Sequence, residues 1–493
     1  MHVPDEANIG SGQAIAIVGA ALRFPGASDP SSFHEITVTG RRMFRRLAHP
    51  TDASGTSGHG KQDDPPARRR SLLAALLDDG VGGFGRDDDL TGGITARHIL
   101  AAETAAAALA DVPSAGRAVA PERIGVFIAD IPEPGTVDVR GWVHRQLGVL
   151  MAGDGITSRT GSRDARASEN GVLRPVGTSL NDLLLGTIGI VRPGHGIPTV
   201  NGAAAVNGSA SGGLHCSLRA VTAACDALNS GEFDLVLAGG VAKGIGSWVR
   251  GRAASAPTAK HVRVYDASPT GSLPGEGCGV VALARAADAR VVEVPAYAEI
   301  VGWRYAGPAV PQRAVLPEAY LRAGIDPADI QFIEGHGAAT ATDDLAELSA
   351  LLEVLGPRAD RASHRCVLGS VSANFGDTGA AAGVAALLKT AFAMTADVIP
   401  PSTGCVRPNR LLRGKGAPFR LPSAPEQWPQ TPVQLAAVNT LGTAPYPDAP
   451  RSGPVHVVLR RERNPALRPG RRRKPSLLAG TSVAFDIPRP AQA

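Results

Sequence analysis

The chain has little aromatic material: Phe, Trp and Tyr together make 4% of its 493 residues. A large core must therefore be filled by Ala, Val, Leu and Ile. Cysteine is scarce as well. Cys216, Cys225, Cys278, Cys366 and Cys405 are the five, none in a C-x-x-C spacing. An odd, scattered set excludes a disulfide scaffold and fits a reducing, cytoplasmic setting. No basic stretch followed by an apolar one opens the chain, so no signal peptide is expected. No run of about 18 apolar residues is read as a membrane span. Phosphate loop, nicotinamide fingerprint and metal-ligand spacing are all missing, so neither cofactor nor metal is expected. Gly239-Gly240 lacks the G-x-G-x-x-G spacing and reads as a tight turn.

What is present is a soluble, globular composition with 43% hydrophobic residues and a formal net charge of +5. The basic excess gathers at Arg41, Arg42, Arg45 and Arg46, at residues 68–70, and at residues 460–474. These read as solvated surface or tail, and nucleic acid is not expected as a partner. Residues 14–19 (AIAIVG) read as a strand feeding a turn, residues 96–112 as an Ala-rich helix, and residues 124–128 as a strand. From Leu214, the residues Leu218, Val221, Cys225 and Leu228 follow at steps of four and three, one face of a helix. Strands are expected at 233–240, 279–283, 330–333, 367–371, 433–438 and 455–459, with helices near 316–323, 343–355 and 379–394. Alternating strands and helices indicate an α/β fold with buried sheets. Residues 50–70 and 152–175 read as loops, and the Arg- and Pro-rich segment after Pro465 as disordered.

Five strings, in order, resemble the β-ketoacyl synthases of polyketide type, within the thiolase-like superfamily. They are residues 15–26 (IAIVGAALRFPG), 230–241 (SGEFDLVLAGGV), 264–279 (VYDASPTGSLPGEGCG), 334–347 (EGHGAATATDDLAE) and 368–389 (LGSVSANFGDTGAAAGVAALLK). The resemblance implies a duplicated five-layer α-β-α-β-α fold that dimerises. Its halves would span 13–285 and 286–462, followed by a basic, Pro-rich tail over 463–493. It also implies acyl transfer from an acyl carrier protein to a cysteine at a helix N-terminus, with two histidines assisting decarboxylation and condensation. A helix N-terminus supplies partial positive charge for such a thiolate.

Several of those groups are replaced. Gapless counting back from residues 230–232 puts Leu214 at the cysteine position. Alignment on the preceding strand puts Ala204 or Ala210 there. Cys216 is the one nearby thiol, and with Ser211 as N-cap it falls about five residues into the helix. His336 matches the first histidine, followed by Ala338 and Ala339 where the family usually has Thr-Gly. Asp377 replaces the second histidine, and a carboxylate repels a developing oxyanion. Ser372 stands where a lysine is usual, and Lys389 is retained on what reads as a helix surface. The Asn-Gln-Asp-Gly segment expected between Tyr305 and Leu316 is largely missing. The C-terminal glycine loop survives as Asn439-Thr440-Leu441-Gly442 before a Pro-rich insert.

Three functions stay open. One is a non-condensing homologue that resembles chain-length-factor subunits, forming a homodimer or a heterodimer with an active ketosynthase and working with acyl carrier protein. Another is a malonyl-carrier-protein decarboxylase using His336, or an acyltransferase with Ser209 or Ser211 as nucleophile. The third is a condensing enzyme acting through Cys216.

Overall fold

The computed structural model describes residues 13–46, 73–77, 96–130, 143, 216–244, 261–356, 365–413, 417–442 and 452–463. The loops expected at 50–70 and 152–175 and the tail after Pro465 lie outside these residues.

Among the described residues, nine strands carry the architecture. They are β1 (Ile15–Arg23), β2 (Ile124–Ala129), β3 (Leu235–Ala242), β4 (Gly277–Arg285), β5 (Glu299–Tyr305), β6 (Phe332–Glu334), β7 (Cys366–Gly369), β8 (Val433–Thr440) and β9 (Val455–Glu462). With the short strand Phe419–Arg420 they form one hydrogen-bonded sheet, in the order Phe419–Arg420, β7, β6, β8, β9, β5, β1, β4, β3, β2. Read outward from the middle, each half repeats one plan. The first strand (β1 or β5) pairs antiparallel with the last (β4 or β9). That strand pairs antiparallel with the one before it (β3 or β8), which runs parallel to the second (β2 or β6). The halves join where Ile15 faces Ile300 and Ala16 faces Glu299.

Helices complete five layers. The helix α1 (Pro30–Val38) is capped by Asp29, whose carboxylate accepts from the Ser31 and Ser32 amides. Helix α2 (Ala96–Asp111) covers the outer face of β1, β3 and β4, while α4 (Gln312–Ala323) covers β5 and β9 and packs on α5 (Ala341–Leu355). Between the halves lie α3 (Ser217–Asn229) and α6 (Ala382–Ala396), which touch each other and strands of both halves. This is the expected α-β-α-β-α order. On α3 the stripe Leu218, Val221, Cys225, Leu228 is fully buried. On α6 almost every residue is buried, as a helix between two sheets requires. The stretch Gly379–Ala396 is long and apolar enough on average to cross a membrane, although Lys389, Thr390 and Thr395 interrupt it. It is 78% buried inside the protein and is the core helix.

Three local expectations are corrected. Gly19 does not end β1; the strand runs on to Arg23, with a register shift between Ile17 and Gly19. An added Cβ there would lie 2.5 Å from the Ala108 carbonyl of α2, so the glycine admits the helix. Gly239 and Gly240 lie inside β3 rather than in a turn. A Cβ on Gly239 would meet the Gly279 carbonyl at 2.0 Å, and one on Gly240 the Ala380 carbonyl at 2.6 Å and Ser217 Cβ at 2.8 Å. Several arginines of the basic clusters are held in the fold. Arg45 donates to the Leu77 carbonyl at 2.7 Å, Arg460 pairs with Glu299 at 2.8 Å, and Arg463 pairs with Asp397.

Gly239→Ala should overpack β3 against β4 and lower stability by about 1–3 kcal/mol or more. Gly231→Ala meets nothing within 4 Å and faces only a φ of +75°, so it should cost about 1 kcal/mol. Denaturant unfolding of the two variants side by side checks the order.

Candidate functional site

The parallel strands β6 and β7 end together, with Glu334 opposite both Gly369 and, on β8, Val438. His336 follows two residues past Glu334, at the carboxyl ends of parallel strands where α/β folds place their sites. Thr440 pairs with Val455, and Val455 with Tyr305. A single row thus runs Thr440, Val455, Tyr305. The first turn of α3 crosses it, with Cys216 Sγ 3.8 Å from Thr440 Oγ1 and the Arg219 guanidinium 3.1 Å from the Tyr305 ring centroid.

Cys216 is not five residues inside its helix. It is the N-cap residue, with extended backbone (φ −132°, ψ 119°), and its carbonyl accepts from the Arg219 and Ala220 amides at 3.0 and 3.2 Å. Helix α3 starts late because Ser217 is held by the other central helix, its Oγ accepting from the Val384 amide at 2.8 Å. Cys216 is buried, at the end of α3 where the dipole favours negative charge. Leu214, Ala204, Ala210, Ser209 and Ser211 lie outside the described residues.

His336 is held by its backbone. Its amide donates to Glu347 Oε1 at 2.7 Å, and its carbonyl accepts from Ser370 Oγ at 2.9 Å and Ser372 Oγ at 3.0 Å. Glu347 is fully buried and also accepts from the Gly337 amide at 3.0 Å, Tyr265 Oη at 2.9 Å and Asn439 Nδ2 at 2.6 Å. Four donors on two oxygens is the pattern of an ionised carboxylate. Asp344 lies in the same cluster and accepts from the Tyr265 and Ala339 amides. Burial pushes its carboxyl up to about 7, and the neighbouring Glu347 charge adds to the shift. Burial first, and then Glu347, holds the Tyr265 phenol well above its usual range, so it stays a donor.

Asp377 is engaged elsewhere. Its Oδ1 accepts from the Gly379 amide at 3.0 Å, at the head of the short helical turn that leads into α6. Lys389 does not lie on a helix surface. It is 1% exposed, and its Nζ is 2.9 Å from Glu334 Oε2. Glu334 is wholly buried, and burial raises its carboxyl despite that ammonium. Asn439 also faces His456 Nδ1 at 3.3 Å, and burial drives the His456 imidazole down to about 3. With Nδ2 of Asn439 donating to Glu347, Oδ1 must accept, so His456 carries its proton on Nδ1. Its buried Nε2 has no partner among the described residues.

The sequence therefore located His336 and Asn439-Thr440 but missed Glu347, Tyr265, Asp344, Arg219 and His456. Tyr265, Asp344 and Glu347 all lie inside the quoted strings, so membership of those strings was the available signal for them.

A model of the N-terminal domain of β-ketoacyl synthases matches residues 12–133 and 202–289, and one of their C-terminal domain matches residues 304–405. A phenolphthiocerol/phthiocerol polyketide synthase protein of Mycobacterium tuberculosis is 28% identical over 452 residues, covering 87% of this chain and 28% of that protein. A mycocerosic acid synthase-like polyketide synthase of Mycolicibacterium smegmatis is 29% identical, covering 87% of this chain and 19% of that protein. The chain thus spans under a third of the length of these relatives. The ketosynthase from module 6 of the Bacillus subtilis 168 bacillaene synthase superposes with a TM-score of 0.65 at 20% identity, over 92% of this chain and 73% of that one. An oxazolomycin ketosynthase domain from Streptomyces albus JA3453 gives 0.64 at 23% identity, over 92% and 75%. At these identities the structural likeness carries the fold alone.

Lys389→Met leaves Glu334 buried without its cation and should cost about 3–5 kcal/mol at neutral pH. The loss should shrink as pH falls and Glu334 takes up a proton. A separate pH effect follows from Asp344, which binds its proton more tightly folded than unfolded. Its contribution to stability is therefore full below about pH 4 and declines as pH rises to about 7. Asp344→Asn should remove that decline, so the stability advantage of the native chain over the variant falls across this window. Unfolding curves at matched pH test both.

Proposed function

Because the chain belongs to the β-ketoacyl synthase family, we propose that it is a non-condensing member serving polyketide biosynthesis. It acts as a chain-length-factor-like partner that pairs with an active ketosynthase, and its crevice takes acyl groups borne by a carrier protein. The division into halves at residues 13–285 and 286–462 belongs to this reading. The observation that carries it is Asp377. Condensation needs a donor at this position to stabilise charge developing on a thioester carbonyl. A carboxylate supplies no such donor, and this one is spent on the Gly379 amide.

A second reading is favoured by the N-cap position of Cys216 beside Thr440. The thiolate would attack a carrier thioester, forming an S-acyl bond to Cys216 and breaking the bond to the carrier thiol. That thiol leaves with the proton taken from Cys216, and His336 is the base this reading assigns. This is acyl transfer without decarboxylation.

Intact-protein mass spectrometry after incubation with acetyl- and malonyl-loaded carrier protein separates them. The first reading expects no adduct and no conversion of malonyl to acetyl carrier. An acetyl adduct lost in Cys216→Ala would replace it with acyl transfer, and conversion of malonyl to acetyl without an adduct would replace both with a decarboxylase.

A further inference from the structure

A cavity of about 470 Å³ lies at the carboxyl end of α5, lined by Leu352, Arg410, Leu411, Arg413, Ala417 and Pro418. That volume is within the range of small-molecule sites, about 300–1,000 Å³. Three pieces of chain build its walls. Helix α5 stops at Gly356, whose φ of +63° turns the chain aside and whose amide donates to the Leu352 carbonyl at 3.0 Å. Facing it is the single 3-10 turn Arg410–Leu412, started by Asn409. The Asn409 side chain accepts from the Leu411 amide at 3.1 Å, and its own amide donates to the Tyr265 carbonyl at 2.8 Å. Leu412 is buried in the core, while Arg410 and Arg413 on either side of it are exposed. The third wall is fixed by the Pro418 carbonyl, which accepts from the Cys366 amide at 2.8 Å where Phe419–Arg420 joins β7.

Arg410 and Arg413 are three residues apart across one 3-10 turn, a spacing that brings side chains onto the same side. Arg413 donates through Nε to the Pro408 carbonyl at 2.7 Å, which steadies the guanidinium and leaves its terminal nitrogens for another acceptor. Among the described residues, no carboxylate forms an ion pair with either arginine. An exposed arginine is ordinary by itself. Here two like charges share one concave wall with Leu352, Leu411, Ala417 and Pro418. The carboxyl end of α5 offsets them only in part, since a helix end carries about half a charge. A guanidinium fork matches the oxygens of a carboxylate or phosphate, and the apolar residues beside it suit a hydrocarbon segment.

We propose that this cavity binds a small amphipathic oxyanion, an aliphatic chain ending in a carboxylate or a phosphate. Arg410 and Arg413 hold the head group, and Leu352, Leu411, Ala417 and Pro418 line the chain. Binding here requires nothing of Cys216 or His336.

Titration calorimetry of the full chain with octanoate, octyl phosphate, octanol and acetate tests it. The better of octanoate and octyl phosphate identifies the head group and should bind at least about 10-fold more tightly than octanol, the worth of hydrogen bonds to a charged group. It should exceed acetate by a similar factor, and its binding should weaken as salt is added. Arg410→Met and Arg413→Met should each weaken it severalfold while leaving octanol within about twofold. Arg410→Met breaks no hydrogen bond among the described residues, so it carries the test if Arg413→Met fails to fold. Octanol binding as tightly as either anion, or anion binding unchanged in both variants, would overturn the role of the arginines. Acetate binding as tightly as octanoate would overturn the apolar wall. Failure of both anions to bind would overturn the site.

Discussion

The carboxylate of Glu347 is the constraint on which the rest of the site depends. A fully buried anion with no cation at bonding distance among the described residues is tolerable only when its lone pairs are filled, because its desolvation would otherwise cost several kcal/mol. Here four donors fill them, from Tyr265, the His336-Gly337 turn and Asn439. Three distant stretches of chain are thereby fixed to one side chain of α5. The arrangement also sets protonation around it. Tyr265 remains a phenol, Asp344 is pushed towards neutrality, and Asn439 is oriented so that His456 is protonated on Nδ1. His336 owes its backbone position to this network.

The residues that hold the layers together are distinct from those gathered at the candidate site. The five layers depend on two central helices whose N-termini meet, where Ser217 accepts from the Val384 amide and an added Cβ on Gly383 would lie 2.6 Å from Leu218. They depend also on the buried Lys389–Glu334 pair tying α6 to β6. None of these is a nucleophile or a general acid. Asp377 shows the same separation from the other side. Its Oδ1 accepts from the Gly379 amide two residues on, a local contact that shapes the turn leading into α6.

Most of the fold was legible because strands and helices announce themselves by period. The stripe Leu218, Val221, Cys225, Leu228 and the buried runs of β3 and β4 need no knowledge of their neighbours. Glycines are different. Gly19, Gly239 and Gly240 look like turn residues in isolation, yet each is required by a backbone carbonyl arriving from elsewhere. Lys389 failed for the same reason, since a lysine reads as exposed until its partner, 55 residues away, is known. The start of α3 was misplaced because serine at 211 is a good cap by propensity, and the constraint that fixes the start acts through Ser217 from a different helix.

The site follows that logic one step further. His336 was found because it belongs to a string with recognisable order, and Asn439-Thr440 because they open a stretch that resembles a glycine loop. Glu347 stands at the end of one such string, but its importance appears only in the donors that converge on it from three stretches of chain. Arg219 had no signal at all. It interrupts the apolar surface of a central helix, and a charge there is tolerated because the flat guanidinium can lie on Tyr305. Stacking accounts for the carbon and the plane of the group, and the partner that answers the charge comes from a strand that no period within α3 announces.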